Sequence, residues 1–121
     1  MNNRPKLTVV IASRNDNYHK DFTTDQTRAL TSLVKQFDRN DFQAELLVIE
    51  WNPFPRRPPM STLFNGIKIP KNLSVSLISV PSSIHRERNG HQDREIHAAA
   101  AWNVGIRLAR GHFVLPKSAD T

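Results

Sequence analysis

The chain predicts an α/β fold, a three-layer α/β/α arrangement around a mainly parallel sheet of about four strands, of the Rossmann-like kind. Two observations carry that expectation. Short apolar, β-branched runs recur at Leu7–Ala12, Ala44–Glu50 and Leu73–Val80, with a shorter run at His112–Leu115. Between them lie stretches with apolar residues at helical spacing, and strands that alternate with helices imply right-handed crossovers and a parallel sheet.

Leu7-Thr-Val-Val-Ile-Ala12 is nearly continuous in apolar character, as a strand covered on both faces requires, and so takes the central place. After a polar stretch from Ser13 to Thr24, Leu30, Leu33, Val34 and Phe37 mark one face of a helix, with Thr24 or Asp25 as its N-cap and its end near Asn40. Ala44–Glu50 is the second strand. Four prolines within residues 53–59 exclude regular structure after it. Ser61 is positioned to cap a short helix reaching Gly66, and Leu73–Val80 is the third strand. Residues 81–94 read as a polar, turn-rich loop. Glu95–Arg110 reads as a helix apolar around much of its girth, stopped by Gly111, and His112–Leu115 as a fourth strand broken by Pro116.

Bulk properties narrow the function classes. With 121 residues, 38% hydrophobic and 23% charged, the chain suits a single globular domain over residues 1–121. It has no cysteine, which excludes disulfides, a thiolate nucleophile and a cysteine-bound zinc. The six-residue apolar stretch near the N-terminus is too short for a signal core or a membrane span, so the expected location is cytoplasmic. The formal charge of +6 is dispersed from Arg4 to Lys117, which suits a phosphate-bearing small molecule as well as a nucleic acid. No aromatic platform or recognition motif supports nucleic acid as the partner. The four glycines form neither a dinucleotide fingerprint nor a P-loop.

In open parallel sheets ligands bind beyond the carboxyl ends of the strands, so Ser13–Asn15, Glu50–Asn52, the loop after Val80 and Ser118–Asp120 are the positions to watch. A nucleotide diphosphate can be held there without a glycine loop, by a divalent cation on a carboxylate, and Asp120 stands at the right place. His85, His91 and His97 match no zinc motif, and Asp93 with His97 would share a helical face only if the helix began early. Arg107 and Arg110 suit the negative end of a helix dipole, and Trp102 suits the core.

The block Asn103-Val-Gly-Ile-Arg-Leu-Ala-Arg-Gly-His-Phe-Val-Leu-Pro-Lys-Ser-Ala-Asp120 resembles the helix, strand and metal motif of GT-A-fold glycosyltransferases of the family-2 type. There Asn-x-Gly-Ile, Ala-x-Gly and a closing Asp-x-Asp keep these spacings. Thr8–Asn15 is similar to the family's first strand and nucleotide-contacting turn, and Glu45–Glu50 to its second strand with a terminal acid.

The resemblance implies the donor-binding half of a glycosyltransferase, incomplete at its C-terminus, that binds a nucleotide-diphospho-sugar for transfer to an acceptor. It implies nucleotide contacts from Ser13, Arg14, Asn15, Glu50, Asn103 and Ser118, with Arg94 as a further candidate for the diphosphate. It also implies Mn2+ or Mg2+ at Asp120. Two departures weaken these implications. Trp51-Asn-Pro replaces the family's usual acidic-glycine-serine loop, and Ser118 stands where the first carboxylate of Asp-x-Asp would be, so metal affinity is expected to be reduced. The competing expectation is a non-catalytic basic α/β module, either a degenerate transferase fold or a domain that binds nucleic acid or protein.

Overall fold

The computed structural model describes residues 4–14, 21–53, 59–89 and 98–119. Strand β1 (Leu7–Ser13), helix α1 (Phe22–Asp38), β2 (Ala44–Trp51), a 3-10 turn (Met60–Phe64), β3 (Leu73–Val80), α2 (Ser82–Asn89), α3 (Ala98–Leu108) and β4 (Phe113–Ser118) follow in order. The sheet is wholly parallel with strand order β3-β2-β1-β4. The α/β expectation therefore holds, with β1 inside the sheet.

Alternation along the strands divides the core into two layers. Val9, Ile11, Leu46 and Val48 face α1, where Leu30, Leu33, Val34 and Phe37 cover them. Val10, Ala12, Leu47, Ile49 and Trp51 face the other way and meet Ala101 of α3. A strand with one helix on each face has no polar side to show, which is why the β1 and β2 sequences lack alternation.

α3 lies close to the sheet because Gly105 faces Val10: a Cβ at Gly105 would overlap the Val10 side chain. Val10 is fully buried and stiff at χ1, so it cannot step aside. At the other end of α3, Gly111 donates its N–H to Thr8 Oγ1 at 2.9 Å, and Thr8 donates to Glu45 Oε1 at 2.9 Å. Glu45 also receives the Arg110 amide and Nε, both at 3.0 Å. Only 4% of Glu45 is exposed. Burial works to raise its carboxyl pKa, but the Arg110 amide, the Thr8 hydroxyl and the Arg110 guanidinium together outweigh burial and leave it below its ordinary value near 4.5.

Several local expectations change. α1 starts at Phe22 with Asp21 at the N-cap, rather than at Thr24 or Asp25, and no side chain caps it. Asp25 instead sits in the first turn, where its charge favours the helix dipole. The short helix is a 3-10 turn beginning at Met60 behind Pro59, without a Ser61 cap. Residues 82–89 form α2, not a loop, with the Pro81 carbonyl accepting from the amides of Ile84 and His85. The start expected for α3 at Glu95 falls outside the described residues.

β4 runs through Pro116 instead of stopping there. The Phe113 amide donates to the Lys6 carbonyl, and in a parallel ladder bonds toward one neighbour recur at every second residue. Pro116 thus has the outward phase on an edge strand, where its missing N–H costs β1 nothing. Arg107 lies in the last turn of α3, as a dipole role requires, but Arg110 lies beyond the helix and serves Glu45. Trp102 is half-buried, donating from Nε1 to the Lys117 carbonyl at 3.3 Å.

Two outcomes test this packing. Gly105→Ala lowers stability by about 1–3 kcal/mol despite its better helix propensity, and adding Val10→Ala recovers part of the loss, as read by denaturant unfolding. Because Glu45's pKa is depressed in the fold, its contribution is present above its unfolded pKa and is lost as pH falls through the folded value. Glu45→Gln therefore costs roughly 1–3 kcal/mol at neutral pH, and the gap to the parent narrows as the pH falls through the folded pKa of Glu45.

Candidate functional site

The carboxyl ends of the strands gather Ser13, Arg14, Glu50 and Ser118 on one edge of the sheet. Because β1 leads outward through β2 to β3 and the chain then crosses back to place β4 on β1's other side, the order reverses between β1 and β4. A crevice outside the strand ends at such a reversal is the usual ligand position in open α/β sheets.

Ser13 and Glu50 are register partners at the ends of β1 and β2. Both belong to the α1 face. The Ser13 hydroxyl donates to Gln26 Oε1 at 2.7 Å, and both residues are essentially buried. A ligand in the crevice would thus meet Ser13 mainly through its backbone. Glu50 Oε2 accepts the Met60 amide at 2.6 Å and so fixes the start of the 3-10 turn that follows the proline-rich stretch. One carboxylate oxygen is committed to the scaffold, and the other is left for a donor such as a ribose hydroxyl.

Arg14 continues β1 and donates from Nε to the Asn52 carbonyl at 2.8 Å, which holds the guanidinium across the mouth of β1 and β2. Asn52 itself has φ of +51°, the only non-glycine residue among those described in the left-handed region. Its amide donates to the Val80 carbonyl at 2.8 Å, extending the β2–β3 ladder one residue past β2. An asparagine tolerates this conformation better than other side chains do.

Asn103 and Ser118 lie on the opposite, α3 face. Ser118 pairs in register with Ala12 at the exposed end of β4, and Asn103 is exposed on α3. The described candidates therefore divide between the two faces of the sheet, Ser13 and Glu50 on the α1 face, Ser118 at the end of β4 and Asn103 on the side of α3 toward the ends of β2 and β3 on the other, with Arg14 between β1 and β2. Asn15, Arg94 and Asp120 lie outside the described residues, as do His91, Asp93 and His97.

Among the described residues no group of three His, Cys, Asp or Glu side chains is placed to hold a metal ion. At the end of β4 they supply one hydroxyl, from Ser118, and no carboxylate; the nearest strand-end acid, Glu50, is on the other face and already bonded to Met60. They do not by themselves build a divalent-cation site, and the metal expectation rests on Asp120.

The structure adds Gln26, which the sequence reading passed over, and gives His85, weighed above only against a zinc motif, a partner in the core. Gln26 is fully buried and lies on α1's core stripe four residues before Leu30, a polar side chain in an apolar row. His85 is buried in α2 and accepts the Trp51 Nε1 proton at Nδ1, 2.8 Å away. A tryptophan N–H only donates, so the neutral His85 ring carries its own proton on Nε2.

Among the described residues, no helix is long and apolar enough to cross a membrane. Comparisons with protein-family models, curated proteins and solved structures return no match.

The mouth of the crevice depends on the Asn52 conformation. Asn52→Val lowers stability by about 1–2 kcal/mol more than Asn52→Gly does, since both lose the side chain and only valine strains the backbone, and by shifting the carbonyl that holds Arg14 it broadens the Arg14 Nε–H signal in NMR spectra.

Proposed function

We propose that this chain is the donor-binding half of a glycosyltransferase and binds a nucleotide-diphospho-sugar at the carboxyl edge of its sheet. The observation that carries the reading is the β3-β2-β1-β4 parallel order, which juxtaposes the ends of β1 and β4, two of the three strands that bear the resemblance to the family-2 type. The resemblance over Asn103–Asp120 supplies the chemistry, and the topology supports it by bringing Ser13, Arg14 and Ser118 to neighbouring strand ends.

In this reading Arg14, held through Nε by the Asn52 carbonyl, brings its positive charge beside the phosphate oxygens. The uncommitted Glu50 oxygen accepts a hydrogen bond from the base or ribose, and Asn103 and Ser118 approach from the other face. Asn15 and Arg94 take the contacts that the resemblance assigns to them. Mn2+ or Mg2+ at Asp120 would offset the charge of the leaving diphosphate, with weaker affinity than two carboxylates provide, since Ser118 brings no charge. Ser118 also favours the second reading, a transferase fold that retains nucleotide binding, or a basic module without it.

Thermal unfolding in the presence of UDP- and GDP-sugars with Mn2+ separates these readings. A donor site gives a rise in Tm that grows with the logarithm of donor concentration, about 2.7 kcal/mol of stabilisation at a hundredfold excess over Kd, and Arg14→Ala or Asp120→Ala reduces the affinity about tenfold or more. If sugar nucleotides leave Tm unchanged while oligonucleotides raise it in a salt-dependent manner, the transferase reading fails and the basic module takes its place.

A further inference from the structure

At the amino edge of the sheet, opposite the crevice, residues 4–6 and 110–113 lie side by side. Arg4 donates from Nε to the Arg110 carbonyl at 2.6 Å and from Nη2 to the Gly111 carbonyl at 3.4 Å. The His112 and Phe113 amides donate to the Pro5 and Lys6 carbonyls, both at 3.0 Å. These bonds fix the corner at which β4, an edge strand, begins.

The corner carries side chains of two kinds. Among the described residues, the three most exposed large hydrophobic side chains are Phe113 at 66%, Leu108 at 52% and Leu115 at 49%, so the uncovered apolar surface is concentrated here. Leu108 closes α3 two residues before Arg110. Phe113 and Leu115 are register partners of Leu7 and Val9, yet unlike Val9 they are left in solvent.

The second kind is cationic. Arg4 and Lys6 are exposed, and the Arg110 side chain is 64% exposed although its Nε is bonded to Glu45. Lys6 Nζ stands 5.5 Å over the Phe42 ring, a contact that leaves its charge in place. Glu45 itself is buried, and Asp38 and Asp41 follow the end of α1 with Arg39 between them in the chain. The excess at the corner is positive, in keeping with the chain's +6.

Apolar side chains that protrude from a corner among cations match a surface that is fluid, apolar beneath and negatively charged on top. A nucleic acid would engage the cations and gain nothing from Leu108 or Leu115. A second copy meeting this corner about a two-fold axis would set Arg4, Lys6 and Arg110 against their own counterparts. We propose that this corner docks the chain on an anionic lipid bilayer, with Phe113, Leu108 and Leu115 entering the interface and Arg4, Lys6 and Arg110 at the headgroups. β1 runs from this edge to the crevice, about 20 Å away, so a docked chain holds its strand-end crevice away from the lipid. The proposal stands whether or not that crevice binds sugar nucleotides.

Co-sedimentation of the full chain with vesicles tests it. Vesicles of phosphatidylglycerol and phosphatidylcholine in equal parts are expected to carry the chain down, and vesicles of phosphatidylcholine alone to bind it at least about tenfold more weakly, with added salt closing the difference. Lys6→Gln weakens binding about fivefold and Phe113→Ser about tenfold, each with Tm near that of the parent. Phe113→Trp retains binding, and its added fluorescence moves to shorter wavelength when the mixed vesicles are present. Equal binding to the two kinds of vesicle, binding to neither, or Lys6→Gln and Phe113→Ser variants that bind as the parent does would each overturn the proposal. Oligonucleotide binding that falls in Lys6→Gln and is untouched in Phe113→Ser, with no pelleting on vesicles, would assign the corner to nucleic acid and overturn it. A dimer in sedimentation that Phe113→Ser dissolves, again without vesicle binding, would assign it to a second copy.

Discussion

The architecture depends on the enclosure of β1, which is paired along both edges and covered on both faces. β2 beside it is enclosed in the same way, whereas β3 and β4 are edges. Enclosure has two requirements that the sequence meets in different ways. On the α1 side, interlocking Leu30, Leu33, Val34 and Phe37 fill the space with volume. On the α3 side the space is made small, since Gly105 and Ala101 let the helix backbone descend onto Val10 and Ala12. A thin layer on one side and a thick one on the other still give a packed interior, because close contact is what dispersion rewards.

This asymmetry accounts for what was legible in the sequence. β1, β2 and β3 could be read because their apolar runs are local, and α1 because Leu30 to Phe37 repeats at helical spacing. The α2 helix could not. Its sequence is polar, and what holds it includes the tertiary bond between His85 and Trp51, residues 34 positions apart. Pro116 misled for a related reason: a proline ends a strand only when its missing N–H is needed, and that depends on which edge of the sheet the residue faces. The left-handed backbone at Asn52 is likewise set by the ladder to Val80 and by Arg14, neither visible in the local run.

The candidate site was legible in outline and not in arrangement. That Ser13, Glu50 and Ser118 would lie at strand ends follows from the strand boundaries alone. Which face each occupies follows from register, and register places Ser13 and Glu50 away from Asn103 and Ser118. Residues nearest the ends of a parallel sheet thus have two kinds of neighbour. Some, such as Ser13 with Gln26, complete the interior, while Asn103 and Arg107 are open to solvent and to whatever binds there.

The outward phase of Pro116 bears on how copies of this chain behave in a crowded solution. β4 exposes Phe113, Val114 and Leu115, an apolar ribbon with one unpaired edge, and such ribbons template amyloid-like stacking. At the centre of that edge the chain offers a pyrrolidine ring in place of a hydrogen-bond donor, so an incoming strand can zip only a residue or two before it meets the gap. The same residue that leaves the bond pattern to β1 intact also breaks the pattern that aggregation would need.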